Sequence, residues 1–174
     1  PWNVQGGTTA ATTNTQNIYQ SGSVAIGRTL VYTNGSRTAA LDVKDAIRTG
    51  AGHTGTIGVN SVAMGLYNEA SGDASFAAGI SNTSVGNNSF AAGISNKSVG
   101  NTSTSFGSSN TNNGDNAVVM GSSNTVNAGS TNSFTGGGSN IMSGNYAFTM
   151  GKENKVEEEN TEAFGEGNKS FGER

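Results

Sequence analysis

From residue 61 onward, large apolar and small residues alternate in short bursts, each closed by glycine. Ser61-Val62-Ala63-Met64-Gly65, Ser75-Phe76-Ala77-Ala78-Gly79 and Ser89-Phe90-Ala91-Ala92-Gly93 show the unit. A period of two is the signature of a strand and puts the second and fourth positions on one face, the third on the other. Because the larger residues occupy the second and fourth positions, Val62/Met64, Phe76/Ala78, Phe90/Ala92, Thr104/Phe106, Val118/Met120, Phe134/Gly136 and Phe148/Met150 are expected to point inward. The third position holds small residues, among them Ala63, Ala77, Ala91 and Ser105, and predicts a strip that another backbone can approach closely. Phe164/Glu166 breaks the inward pattern with a carboxylate, so the array is expected to end or change register there.

The bursts recur. Placing the closing glycine at 65, 79, 93, 107, 121, 137, 151 and 167 gives a 14-residue period with two 16-residue turns, at Thr125–Thr131 and Lys155–Thr161. A second glycine falls half a period on, at 72, 86, 100, 114 and 144. Two short extended pieces and two bends in 14 residues describe one coil of a β-solenoid. A helical period is absent, and glycine at this density costs a helix roughly 1 kcal/mol at each position.

An asparagine stands shortly after every closing glycine: Asn68, Asn82, Asn96, Asn110, Asn124, Asn140, Asn154 and Asn168. Asn tolerates left-handed backbone, its amide satisfies turn groups, and identical amides at solenoid spacing stack into a ladder. A structural column is therefore expected in preference to a ligand-binding row.

Asn60-Ser61-Val62-Ala63-Met64-Gly65 resembles the Asn-Ser-Val-Ala-Ile-Gly unit of the YadA-like head domains of trimeric autotransporter adhesins. Asn88-Ser89-Phe90-Ala91-Ala92-Gly93 and Asn116-Ala117-Val118-Val119-Met120-Gly121 follow it less strictly, and the likeness covers residues 54–172. The resemblance implies an all-β, left-handed parallel β-roll, three chains around an axis and an adhesive role. With three chains, the small-residue strip of Ala63, Ala77, Ala91 and Ser105 becomes the expected trimer seam. Residues 1–53 read as a separate leader. Thr8–Asn17 is a low-complexity linker, and Ala40–Gly50 suggests a short hairpin, with a short helix as the rival. This leader is similar to segments that precede repeats in phage tail-fibre-like and bacterial fibre proteins.

Composition narrows the chemistry. The 174 residues include 27 Gly and no Cys, which removes disulfides, thiolate metal sites and cysteine nucleophiles. Nine basic residues scattered among twelve acidic ones form no footprint for nucleic acid. No apolar run is long enough to insert in a membrane. The start at Pro1, without Met, reads as a piece of a longer protein, and residues 173–174 read as the start of a transition to a following segment.

His53 is the single histidine and sits in a glycine-rich loop, where a turn-stabilising or exposed role is expected. Asp73 and Asp115 lie three turns apart, about 14 Å at strand spacing, beyond the roughly 5–9.5 Å of paired glycosidase carboxylates. With Asn87, Asn101 and Asn145 they follow half-turn glycines and read as turn formers. No catalytic residue, metal site or cofactor is expected.

The function expected is a segment of a trimeric fibre or adhesin, a shaft or head for recognising a host or cell surface, in a phage tail or contractile injection system. The expected setting is extracellular, and the expected partners are two further copies and a cell-surface receptor or glycan. The alternatives are the head of a cell-surface autotransporter adhesin and a polysaccharide-degrading tailspike. Longer turns on a rigid scaffold are where a specific site is most easily built. Ligand contacts are accordingly expected at Thr125, Val126 and Asn127 and at Lys155, Glu157, Glu158 and Glu159.

Overall fold

A computed structural model describes residues 46–53 and 55–170, together with the strand backbone of Asn3–Val4, Ile18–Tyr19, Val24–Ile26 and Leu41–Val43. The chain divides into two compact units, Pro1–Lys44 and Asp45–Arg174. In the first, Asn3–Val4 pairs antiparallel with Ile18–Tyr19, and Val24–Ile26 pairs parallel with Leu41–Val43. The expected linker at Thr8–Asn17 and the transition at 173–174 lie outside the described residues.

The second unit is a parallel β-solenoid of about nine turns. Each full coil contributes a five-residue strand to a nine-stranded sheet and a two-residue strand to an eight-stranded one. Register is regular: Phe76 pairs with Phe90 and Gly79 with Gly93, each partner 14 residues on. The glycine is required by the stack. Gly79 has a φ of 112°, and a Cβ there would collide with the carbonyl oxygen of Gly93 in the next coil.

Three expectations change at this level. The first concerns the array's start. Leu41–Val43 pairs with Val24–Ile26, whereas Ile47–Ala51 pairs in parallel with Val62–Leu66. Ala46 and Ile47 therefore introduce the first coil, ahead of residue 54, and make no hairpin with Leu41 and Val43. The second concerns its end. Gly151 pairs with Gly165, so the closing glycine is 165 and the turn through Lys155–Thr161 is an ordinary 14-residue one. Only the turn between Gly121 and Gly137 carries two additional residues among the described coils. Its half-turn glycine position is taken by Ser130, whose carbonyl faces Gly114, and Ala128-Gly129 bulge outward.

The third change reverses the faces. Ala63, Ala77, Ala91 and Ser105 are completely buried inside the coil of a single chain, as are Val119, Thr135 and Thr149. Met64, Phe106, Met120 and Met150 stand on the outside, and Phe76, Phe90 and Phe148 are half-buried there beside their neighbours in adjacent coils. The expected seam of Ala63, Ala77, Ala91 and Ser105 is thus interior packing and cannot meet another chain. Volume is the physical reason. Two sheets joined by bends of a few residues enclose a cross-section that admits one small residue from the long strand and one modest residue from the short strand. Ala63 is accompanied by Ala70, Ala77 by Ser84, and Val119 by Val126. Aromatic rings do not fit and are carried outside.

The interior also changes along the rod. Ala63, Ala70 and Ala77 form one apolar cluster with Ile57, and Ala117, Val119, Val126, Met142, Ala147, Val156 and Ala163 form a larger one. Between them, Ala91 apart, the core is polar. Ser98 Oγ donates to Ser105 Oγ at 2.8 Å, and Asn112 Nδ2 donates to the carbonyls of Thr104 and Ala117 at 3.0 and 2.9 Å. Hydrogen bonds satisfy Ser98, Ser105 and Asn112, as burial of polar atoms requires, while the buried Ser103 Oγ has no partner.

Candidate functional site

The bend after each long strand builds a column of amides. Asn82 Oδ1 accepts from the backbone N–H of Asn96 at 3.0 Å and from Asn96 Nδ2 at 3.1 Å. Asn82 Nδ2 in turn donates to Asn68 Oδ1 at 3.1 Å and to the carbonyls of Ala78 and Gly93, both at 2.8 Å. The same set recurs through Asn96, Asn110, Asn124 and Asn140, the last spanning the longer turn without a break. Asn154 continues it, and Asn168 joins through its backbone N–H, which donates to Asn154 Oδ1 at 2.9 Å. From Asn68 to Asn154 these side chains are buried. From Asn68 to Asn154 the side-chain oxygen and nitrogen are all engaged within the chain, which makes this stretch a structural column, whereas Asn168 is exposed.

His53 heads this column. Gly50 is the register partner of Gly65, so His53 stands three residues after its glycine as Asn68 does after Gly65. Its Nε2 lies 2.9 Å from the carbonyl of Thr49, four residues back, the contact that Asn68 makes through Nδ2 to Met64. Its Nδ1 lies 2.8 Å from the carbonyl of Asn68 in the next coil. The loop histidine is therefore the first rung. The spacing Gly50-x-x-His53 was the available signal.

A second column runs along the opposite bend, in the opposite direction. The backbone N–H of Val59 donates to Asp73 Oδ1, that of Asp73 to Asn87 Oδ1, and that of Asn87 to Asn101 Oδ1, each at 3.0 Å. Asn101 N–H donates to Asp115 Oδ1 at 2.6 Å, and Thr131 N–H to Asn145 Oδ1 at 2.8 Å. Asn145 Nδ2 then donates to Glu159 Oε1 at 3.0 Å. Most of this row faces solvent. Each of these residues is followed by one in left-handed backbone: Ala74, Asn88, Thr102, Asn116, Asn132, Tyr146 and Asn160.

The residues expected to contact a ligand are dispersed. Val126 is completely buried in the larger apolar cluster and is withdrawn from that role by its packing. Thr125 is half-buried in the short-strand sheet beside Thr111 and Ile141. Asn127 is exposed and donates through Nδ2 to Ser143 Oγ at 2.8 Å. Lys155 and Glu157 form an ion pair at 2.6 Å, and Glu158 and Glu159 are exposed on the following bend.

The outer face of the long strands carries most of the exposed large apolar side chains. Leu66, Ile80, Ile94, Phe106, Met120 and Phe164 are each two-fifths or more exposed. The Phe76 and Phe90 rings stack at 5.0 Å, and those of Phe134 and Phe148 at 4.9 Å. Towards Gly165 the face becomes charged, with Lys152 bonded to Glu166 at 3.0 Å and to Glu153 at 3.2 Å. Hydrogen bonds to Glu166 and then Glu153 hold the Lys152 ammonium above its ordinary range. Among the described residues, no group of three or more His, Asp or Glu is placed to hold a metal ion, and no helix is long and apolar enough to cross a membrane.

Fold and site define a class: a parallel β-solenoid repeat protein with a buried amide spine and an apolar outer sheet face. Comparison with protein-family models, curated proteins and solved structures finds no match for the chain.

Proposed function

We propose that this chain is a segment of a trimeric fibre, a left-handed β-roll of which three copies pack around an axis to form a shaft or head that recognises a cell surface. A phage tail or contractile injection system is its setting, outside the producing cell. The observation that supports this reading best is the apolar outer face of the nine-stranded sheet. Contiguous exposed apolar surface of this kind marks protein–protein contact. The occupant that suits it is a further copy of the same chain. Leu66, Ile80 and Ile94 stand in register at the coil spacing, as do Phe106 and Met120, so identical rods brought side by side match along their length. The seam of the fibre is then the column of large residues, and the Ala63, Ala77 and Ala91 column fills each chain's own interior.

Sedimentation equilibrium of the purified chain tests this reading. Three times the 17.5 kDa chain mass is expected. Phe106→Asp, on the outside of the coil, should yield folded monomers with an unchanged β-sheet circular dichroism spectrum. A wild-type monomer at micromolar concentration would sink the proposal, as would a trimer untouched by charges on this face.

A further inference from the structure

Two tyrosines occupy left-handed backbone, Tyr67 with φ 55° and Tyr146 with φ 50°. For a bulky residue this is an outlier, in a region where Asn and Gly are at ease. Tyr67 has a partner that accounts for it. A Cβ on Gly52 would fall within its ring, so the ring lies over that glycine at the first coil. Tyr146 is 64% exposed, and its column is otherwise filled by Asn60, Ala74, Asn88, Thr102, Asn116, Asn132 and Asn160. An aromatic ring that is neither buried nor favoured by its backbone points to a role outside the chain's own stability.

Its surroundings narrow that role. Asn132 and Asn160 occupy the same position one coil to either side, exposed and about 4.8 Å away at strand spacing. The bend is rigid: Tyr146 N–H donates to the carbonyl of Thr131 at 3.0 Å, and Asn160 N–H to that of Asn145 at 2.9 Å. Asn145 is held in place by Thr131 N–H on its Oδ1 and by Glu159 on its Nδ2. The surface thus presents one flat ring between two amides, each with donors and acceptors, on a scaffold with little conformational freedom left to lose. A ring packs against the C–H face of a pyranose, and amides pair with hydroxyl groups that both donate and accept. Glu158 and Glu159 lie on the neighbouring coil and disfavour an anionic ligand. We infer that Tyr146, Asn132 and Asn160 form a binding site for a neutral pyranose oligosaccharide, with the sugar chain running along the rod. This rests on the fibre reading only in naming the chemistry of the surface recognised.

The test uses the assembled wild-type chain with cellotetraose, maltotetraose and tetra-N-acetylchitotetraose, and with sialyllactose as the anionic probe. At least one neutral tetrasaccharide should shift the NMR signals of the Tyr146 ring and of the Asn132 and Asn160 amides, and sialyllactose should not. Tyr146→Asn installs the residue that the same column carries in neighbouring coils, so its melting temperature should be equal or higher while affinity falls tenfold or more. Tyr67→Ser should bind as wild type. The proposal is overturned if no neutral probe binds, if sialyllactose takes the site, or if Tyr146→Asn keeps wild-type affinity. Failure of the fibre reading appears separately, as a monomer in sedimentation; a trimer that ignores all three neutral sugars removes only this site.

Discussion

Two amide columns run the length of the same rod, and their compositions differ because their partners do. The buried column holds Asn at all eight positions from 68 to 168. The exposed one holds Asp73, Asn87, Asn101, Asp115, Thr131, Asn145 and Glu159. From Asn68 to Asn140 each oxygen accepts from the next coil while each NH2 group serves carbonyls on its own coil and the next, as Asn96 does with Ala92 and Gly107. Only a short side chain with an acceptor and two donors meets that demand. In the exposed column a residue such as Asn101 supplies one acceptor to one backbone N–H, and water serves the rest. Asp does this as well as Asn, and the row tolerates substitution. Strictness follows the number of buried partners, because each buried group left unpaired keeps its full desolvation cost.

The largest effect is expected from Asn96→Leu. It strands the carbonyls of Ala92 and Gly107 and the N–H of Asn110, at about 1–3 kcal/mol each, so a loss of about 3 kcal/mol or more per chain should appear in urea unfolding. A loss under 1 kcal/mol would mean that the column is ornamental. In the exposed row, Asn101→Ala removes one acceptor that water can replace, and a loss of about 0.5–1.5 kcal/mol is expected. Asn101→Asp keeps the acceptor for Asn87 N–H and should cost less than Asn101→Ala. Its residue is repulsion from Asp115, which added salt should suppress. Equal effects of Ala and Asp would show that the acceptor is irrelevant.

The smallest effect belongs to the exposed charges of the last coils. The Lys152 ammonium is favoured in the folded state by Glu166 and Glu153, which raises its pKa above the ordinary 10.5. A raised folded-state pKa contributes stability that is present below the unfolded value and is lost as pH rises through the folded one. The contribution should therefore be constant at neutral pH and fade above about 10.5. Lys152→Gln should therefore lower stability slightly at pH 7, and the difference from wild type should disappear as pH rises through the Lys152 pKa. A pH-independent difference between the two proteins would assign Lys152 a packing role.

Period, strand length and the asparagine column were legible in the sequence because each coil repeats the same local requirements. Gly79 must be glycine to let the next coil approach, and an Asn must follow at fixed distance to tie the bend. The same rule, applied strictly, places the last closing glycine at 165, three residues before Asn168, and admits His53 three residues after Gly50. Alternation could not decide which face is inside. A period of two divides Ala77 from Phe76 and Ala78, and it is symmetric with respect to the two sides of the sheet. Large apolar residues go inward only where there is room. The distance between the two sheets of one coil, set by bends that the third dimension closes, leaves space for Ala77 and Ser84 and none for a phenyl ring. Sequence alone determined the repeat and its spine; tertiary structure decided that the rod fills itself with small residues and carries its aromatic column outside.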